Sequence, residues 1–395
     1  MKKELEDKRA ERIYLLSEYG KKKLLTYADS FRELARSLDR DFDWNVEEGD
    51  RSHSLYQRKL WENRCLMAEN LSEMAQIMSE VAGEVFSLRT FEEKKKRRIM
   101  QALRGEALEV HELYYVERED GKKSIGVSLR TEKPEGCRAE EVADMLSVLL
   151  DIRLQPSVTC PYFVDADLRY YTFVEEAEFT VLTGSARAVK ETETVSGDNY
   201  SIVESEKGKM IILLSDGMGS GEKACGDSDQ VLDLMEKLLE AGYHYRAAVN
   251  LVNGSLVTRG EEQNMSTLDI CELDLYGGTC EFCKIGAAAS FIKRGHMVEQ
   301  ISTGTLPLGI FRGVETETVK RELMDGDYII MVSDGVVDAM EEYSYEEDLC
   351  QVISRIELQN PKEIAQALLQ YIIRRCRGNI RDDMTILVAG IWQAV

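Results

Sequence analysis

Met210-Ile-Ile-Leu-Leu-Ser-Asp216-Gly217 and Tyr328-Ile-Ile-Met-Val-Ser-Asp334-Gly335 end alike, each apolar run stopping on Ser-Asp-Gly. A short apolar run bounded by glycine reads as a buried strand. Each copy therefore sets a carboxylate where a strand leaves the core, with a glycine behind it for a sharp turn. Side by side, two such strands bring two acids together. Clustered carboxylates repel unless a proton or cation holds them, and hard divalent ions such as Mg²⁺ and Mn²⁺ prefer oxygen ligands. The rhyme predicts a metal site.

Outward from these strands, Ile202-Val, Leu268 to Leu275, Thr279 to Ile285, Ser290-Phe-Ile-Lys and Thr385 to Ile391 continue the strand rhythm. Helical spacing marks Gly221 to Glu240, Arg246 to Thr258, Glu347 to Glu357 and Pro361 to Cys376. Strands grouped apart from helices predict an α+β fold over residues 178–395, a four-layer α-β-β-α sandwich with helices outside two sheets. A doubly wound parallel sheet would need stricter alternation.

The first part of the chain has a different texture. Leu24, Tyr27, Phe31, Leu34 and Leu38 step by three and four. Met67, Leu71, Met74, Met78, Val81, Val85 and Leu88 do the same beyond the polar stretch Asp39 to Ser54. Two such seams suit a helical hairpin or a helix that pairs with another subunit, so residues 1–110 are expected to form a regulatory segment and a homodimer contact. Residues 111–177 read as a small α/β segment. In it Leu113-Tyr-Tyr-Val-Glu and Ser124-Ile-Gly-Val-Ser-Leu form a hairpin, and Glu140 to Leu150 returns to helical spacing.

Composition narrows the partners. Lys and Arg number 50 against 72 Asp and Glu, a formal charge of -22 that repels a nucleic-acid backbone. Nucleic acid is not an expected partner. The basic run Lys94 to Arg98 lies in a helical pattern and reads as a solvated face. Nine scattered cysteines without a secretory leader point to a reduced, cytoplasmic setting. Cys280 and Cys283 have metal-ligand spacing but fall in a strand pattern, where residues three apart face opposite ways. No apolar stretch reaches the ~20 residues that cross a bilayer. A membrane would be reached only through a segment outside this sequence.

Three further acidic positions join the two strand ends: Asp198 in Ser-Gly-Asp-Asn-Tyr, Asp338 one turn beyond Asp334, and Asp382-Asp383 directly before a strand. Each alone reads as a turn or cap residue, but together they read as a dinuclear site. The order Gly-Asp198, Ser-Asp216-Gly217-Met-Gly-Ser-Gly, Ser-Asp334-Gly335 and Asp382-Asp383-Met-Thr resembles the metal-dependent protein Ser/Thr phosphatases of the type 2C class. More narrowly, Leu-Ser-Asp-Gly-Met-Gly-Ser-Gly-Glu-Lys-Ala, Ser266-Thr-Leu-Asp-Ile, Ser290-Phe-Ile-Lys-Arg and Thr305-Leu-Pro-Leu-Gly resemble the sporulation stage II protein E branch. The N-terminal part resembles that branch's regulatory region through its helical pattern and Arg64-Cys-Leu-Met-Ala-Glu-Asn-Leu.

The resemblance implies roles. Asp216 would bridge two Mn²⁺ or Mg²⁺ ions, and the Gly217 carbonyl would bind one. Asp334 and Asp382 would hold the other, with Asp383 the adjacent candidate. Asp198 would sit at the rim, and Asp338 matches a position that supports a third, weaker ion in some relatives. Two ions a few ångströms apart lower the pKa of a bridging water and stabilise an in-line displacement at phosphorus, so no protein nucleophile is needed. The implied substrate is a phosphoserine protein, an anti-anti-sigma factor in sporulation sigma-factor control. Relatives carry a multi-pass membrane segment upstream, so the sequence is expected to be a soluble fragment or paralogue.

The chain also departs from the wider class. Met218 stands where many relatives have the histidine proposed as general acid, and Arg187 alone is offered to bind substrate phosphate. Two alternatives compete. One is a scaffold of the same fold with little catalysis. The other is a haloacid-dehalogenase-type phosphatase, with Asp165-Ala-Asp167 as nucleophile motif and Asp334 to Asp338 as its late acidic motif.

Overall fold

The computed structural model describes residues 20, 22–38, 61, 64–65, 67–79, 82, 88–117, 122–205, 208–258, 265–310, 314, 316–343 and 348–394. The chain divides into two compact units, Met1–Glu176 and Ala177–Val395.

In the first unit, helices α1 (22–38) and α2 (67–79) carry the expected helical periodicity, with the inward face turned slightly from the expected one. Ala28 and Ala35 are buried on α1 and Ala75 on α2, whereas Tyr27 and Leu34 are 46% and 52% exposed. Small side chains let helices approach closely, so Ala28 and Ala35 take the innermost places, flanked by half-buried Leu24, Phe31 and Leu38, while Tyr27 and Leu34 remain outside. Arg32 of α1 donates to the Ser79 hydroxyl of α2 at 2.6 Å. Val81, Val85 and the stretch Asp39 to Ser54 lie outside the described residues.

A sheet follows, built from β1 (Leu88–Arg89), β2 (Leu108–Glu117), β3 (Lys123–Thr131), β5 (Leu154–Pro156) and β7 (Arg169–Glu175), in the order β1-β2-β3-β7-β5. The short strands β4 (Cys137–Arg138) and β6 (Phe163–Val164) pair separately. β2 and β3 are the expected antiparallel hairpin. Helices α3 (Glu93–Gly105) and α4 (Ala139–Leu150) bury Ile99, Leu103, Val142 and Leu146 in one cluster with Ile125, Val127 and Phe173 of the sheet. The α/β core of this unit therefore begins with α3, upstream of residue 111.

The second unit contains β8 (Phe179–Ala188), β9 (Asp198–Ser205), β10 (Lys209–Asp216), α5 (Gly221–Glu240), α6 (Tyr245–Thr258), β11 (Leu268–Asp274) and β12 (Thr279–Ile285). It continues with β13 (Ser290–Arg294), β14 (Met297–Ile301), β15 (Glu317–Glu322), β16 (Asp327–Val332), α7 (Asp334–Tyr343), α8 (Leu349–Ser354), α9 (Pro361–Arg375) and β17 (Met384–Gln393). Two antiparallel five-stranded sheets run β15-β12-β11-β10-β9 and β14-β13-β16-β17-β8. Alternation along the strands makes three cores. Ile212, Leu214, Cys271, Phe282, Ile329, Met331 and Leu387 fill the space between the sheets. Leu213, Ile270 and Ile285 face α5 and α6, and Ile330, Ile386 and Val388 face α7, α8 and α9. This is the four-layer α-β-β-α sandwich, and both Ser-Asp-Gly strands are central in their sheets or next to the centre.

The cysteine reading follows the same alternation. Cys280 points into the space between the sheets and Cys283 into the α5–α6 side. Burial pushes both thiols up to about 12, and all nine cysteines are free.

Candidate metal centre

Asp216 ends β10 and Asp198 opens β9, and the antiparallel register sets the two directly opposite each other. Asp334 starts α7 where β16 ends, and Asp382 and Asp383 stand just before β17, the neighbour of β16. Strands from both sheets thus deliver their acids to one end of the sandwich.

The backbone around Asp216 is fixed by the Ser266-Thr267 pair. Ser266 Oγ donates to the Asp216 carbonyl at 2.8 Å, as does the Thr267 amide, and the Asp216 amide donates to Thr267 Oγ1 at 3.1 Å. Gly217 follows under tight contact: a Cβ there would stand 2.0 Å from the Ala224 carbonyl oxygen of α5. Gly219 and Gly221 have φ of +113° and +72°, the left-handed region that glycine enters at no steric cost. Ser220 between them donates to Glu193 at 3.0 Å. Helix α5 is also tied to the turn that carries Asp198. Ser228 Oγ donates to the Gly197 carbonyl at 2.5 Å, and Asn199 Nδ2 donates to Ser228 Oγ at 2.9 Å.

Burial is graded across the acids. Asp198 is 1% exposed and neither of its carboxylate oxygens has a hydrogen-bond partner. Asp216 and Asp382 are half-buried, and Asp334 and Asp338 are exposed. Burial pushes the Asp198 carboxyl up to about 6, with Asp383 and Asp334 adding to the rise. The Thr385 and Ser333 hydroxyls lie near enough to temper it without completing a hydrogen bond. Asp216 is pushed up to about 9, by burial first and then by Asp198, Asp334 and Asp382. Asp334, open to solvent on one side, is raised by desolvation where it sits against the protein, then by Asp382 and Asp338. Asp198, Asp216 and Asp334 are thus held away from ionisation by desolvation and by their neighbours, a penalty that a cation among them removes. Among the described residues no three His, Cys, Asp or Glu side chains are already drawn into a finished cage. The acids adjoin without closing, as like charges do. Unpartnered, buried oxygen donors of this kind fit a hard divalent ion.

Asp382 and Asp383 part here. The Asp383 carboxylate accepts from the Lys190 amide at 2.9 Å and from the Gly197 amide at 2.7 Å, so it clamps the Asp198 turn from below. Asp382 is the member of the pair whose charge bears on both Asp216 and Asp334. Arg187, offered as a phosphate ligand, stacks over the Tyr200 ring at 4.5 Å. Asp165 and Asp167 form a turn of the first unit, both ion-paired with Arg169. Sequence reasoning passed over Asp269 and Lys284, a fully buried ion pair at 2.5 Å beside this site. The signal was available: Ser266-Thr-Leu-Asp places a charge in an apolar strand.

Fold and acid cluster together define a PP2C-type phosphatase domain. Family models say the same: Stage II sporulation protein E (SpoIIE) matches residues 206–392, and SpoIIE, regulatory domain, matches residues 26–157. The chain belongs to the stage II sporulation protein E family. Stage II sporulation protein E of Bacillus subtilis (strain 168) is 30% identical over 343 residues, 86% of this chain and 41% of that protein. The protein of the same name from Priestia megaterium is 31% identical over 335 residues, 84% of this chain and 57% of that protein. The chain thus spans about half the length of these relatives. The solved structure of the PP2C phosphatase domain and a fragment of the regulatory domain of SpoIIE from Bacillus subtilis superposes with a TM-score of 0.60 at 28% identity. The match covers 87% of this chain and all of that one.

Proposed function

We propose that residues 177–395 form a protein phosphoserine/phosphothreonine phosphatase that uses two Mn²⁺ or Mg²⁺ ions, under control of the N-terminal helices. The observation that carries the reading is Asp198, a carboxylate sealed in the fold with both oxygens unpartnered, directly across the strand pair from Asp216. Asp216 is suited to bridge two ions, Asp334 and Asp382 to hold one with the Gly217 carbonyl holding the other, and Asp198 to complete the set. Asp338, one turn along α7, is suited to a third and weaker ion. Such ions, when bound, supply a water of lowered pKa and offset charge on the phosphoryl oxygens.

The chain's own part is positioning. Ser266 and Thr267 fix the Asp216 backbone, Asp383 fixes the Asp198 turn, and Gly217 leaves room for α5. At phosphorus a water oxygen bonds as the seryl or threonyl oxygen leaves and takes up a proton. Met218, 49% exposed and two residues beyond Asp216, carries no proton to give, so a water or another group must supply it. Because α5 is bonded to Gly197 and Asn199, a displacement of α5 moves Asp198 and Gly217 together, which is how the N-terminal helices would switch the site. The natural substrate of this reading is a phosphorylated anti-anti-sigma factor in sporulation, met in the cytoplasm by a chain that dimerises through its N-terminal helices.

The test is Mn²⁺-dependent phosphate release from a phosphoserine protein, with Asp216→Ala as control. Metal-dependent release lost in the variant supports the proposal. No release from any phosphoprotein together with no metal binding leaves a scaffold of the same fold.

A further inference from the structure

Lys284 is wholly buried, and all three of its ammonium protons are used. It donates to Asp269 Oδ2 at 2.5 Å, to the Ala288 carbonyl at 2.6 Å and to Ser290 Oγ at 2.8 Å. Ser290 in turn donates to the same Asp269 Oδ2 at 2.7 Å. One carboxylate oxygen is therefore held by two donors, one from β12 and one from β13 of the opposite sheet. The other oxygen, Oδ1, is buried without any partner. Asp269 faces Leu214 in the strand register, two residues before Asp216. It lines a small cavity with Asp216, Thr267, Gly286, Ser333 and Asp334.

Burying a charge pair is costly, and an apolar pair of similar size fills a core equally well. A buried ionic clamp that leaves one acceptor oxygen free beside the acid cluster points to a ligand with a proton to offer. Asp216, Thr267, Asp269, Ser333 and Asp334 set polar groups into an otherwise apolar lining, and the volume of about 10 Å³ is just enough for one water. Outer partners that hold a water or ligand at a metal centre set its orientation and reactivity.

We propose that Asp269 is a positioning residue of the phosphatase site. Its free Oδ1, held still by Lys284 and Ser290, accepts a hydrogen bond from a water in the cavity shared with Asp216 and Asp334, and leaves that water's lone pair facing phosphorus. The inference rests on the phosphatase reading above. Lys284 has the supporting role of holding the carboxylate in place, without touching the reacting atoms.

The test pairs Asp269→Asn with Lys284→Met, so that no buried charge is left alone. Two measurements on the full chain are compared with wild type: relaxation of water protons by bound Mn²⁺, and steady-state dephosphorylation of a phosphoserine peptide. The expected result is altered proton relaxation with kcat lowered about 10- to 100-fold. KM should stay within about twofold, as for an interaction made in the transition state. A melting temperature in chelator within about 5 °C of wild type shows that the fold is retained. Should the variant melt lower than that, Ser290→Ala, which frees one of the two holds on Oδ2, is expected to show the same changes in smaller measure. Wild-type relaxation and wild-type kcat in both variants overturn the proposal. If wild type binds Mn²⁺ but releases no phosphate, the phosphatase reading falls, and the relaxation measurement alone decides whether Asp269 holds the water. If Mn²⁺ is not bound at all, both fall.

Discussion

Replacing Asp198 by Asn should make the metal-free protein more stable and forfeit the stabilisation that bound metal gives wild type, so that metal closes the gap between the two. The Asp198 carboxyl ionises at about 6 in the fold against 3.8 in the free chain. Each pH unit of displacement is worth about 1.36 kcal/mol, so at pH 7 the buried charge costs about 3 kcal/mol. The sign follows from proton counts. Between pH 3.8 and 6 the folded state binds more protons at this position than the unfolded chain, so stability falls as pH rises through that window. It stays low above it. Asn removes the charge and keeps the shape. In chelator at pH 7 the variant should therefore melt roughly 6–12 °C higher, at about 2–4 °C per kcal/mol for a unit of this size. The advantage should shrink to about 0.5 kcal/mol at pH 4 and vanish by about pH 3, where the wild-type acid is protonated in both states. With Mn²⁺ at about 100 times its dissociation constant, wild type gains about 2.7 kcal/mol that the variant does not match. Calorimetric melts at pH 4, 5.5 and 7, with chelator and with Mn²⁺, read both halves. A variant no more stable than wild type in chelator at pH 7, or an advantage that does not change with pH, would refute the argument that Asp198 is a charge awaiting a cation.

Other outcomes follow from the same contacts. Asp383→Ala removes the acceptor of two backbone amides and should cost about 2–4 kcal/mol in urea unfolding whether or not metal is present. Asp382→Ala should leave the chelated melt near wild type and weaken Mn²⁺ binding about tenfold or more by calorimetric titration. Gly217→Ala, whose methyl would meet the Ala224 carbonyl oxygen at 2.0 Å, should displace α5 and lower kcat about 100-fold or more, measured on a phosphoserine peptide. Removing residues 1–176 should change kcat or Mn²⁺ affinity about tenfold or more, since a coupling of that size corresponds to ~1.4 kcal/mol. Unchanged values in both would end the proposal that the N-terminal helices control the site.

Several elements were legible because burial on both faces writes a continuous apolar run. β10, β16 and β17 read this way, β11 and β12 read from strand formers interrupted by single charges, and helices α5 and α9 read from their spacing. β14 and β15 were not, because Met297-Val-Glu-Gln-Ile and Glu317-Thr-Val-Lys-Arg-Glu are sheet-edge strands whose charged residues face water. α7 was hidden by its own start: Asp334-Gly335 reads as a strand end and turn, and the helix begins on that same aspartate. On α1 the spacing was right and Leu24, Phe31 and Leu38 are half-buried as expected, but Ala28 and Ala35 take the inner places expected of Tyr27 and Leu34. Periodicity locates a stripe of large residues, while close helix approach selects the alanines beside it.

The sequence by itself determined the four-layer fold and the set of acids, because strand-end aspartates followed by glycine are local features that any packing must respect. Only the tertiary structure decided what each acid does. Asp382 and Asp383 are chemically identical and adjacent. The backbone amides of Lys190 and Gly197, nearly two hundred residues earlier in the chain, claim one carboxylate and leave the other to the cluster. Likewise, Asp269 and Lys284 meet only because β11 and β12 pair in one register, and the oxygen left free between them exists in the fold and nowhere in the chain order.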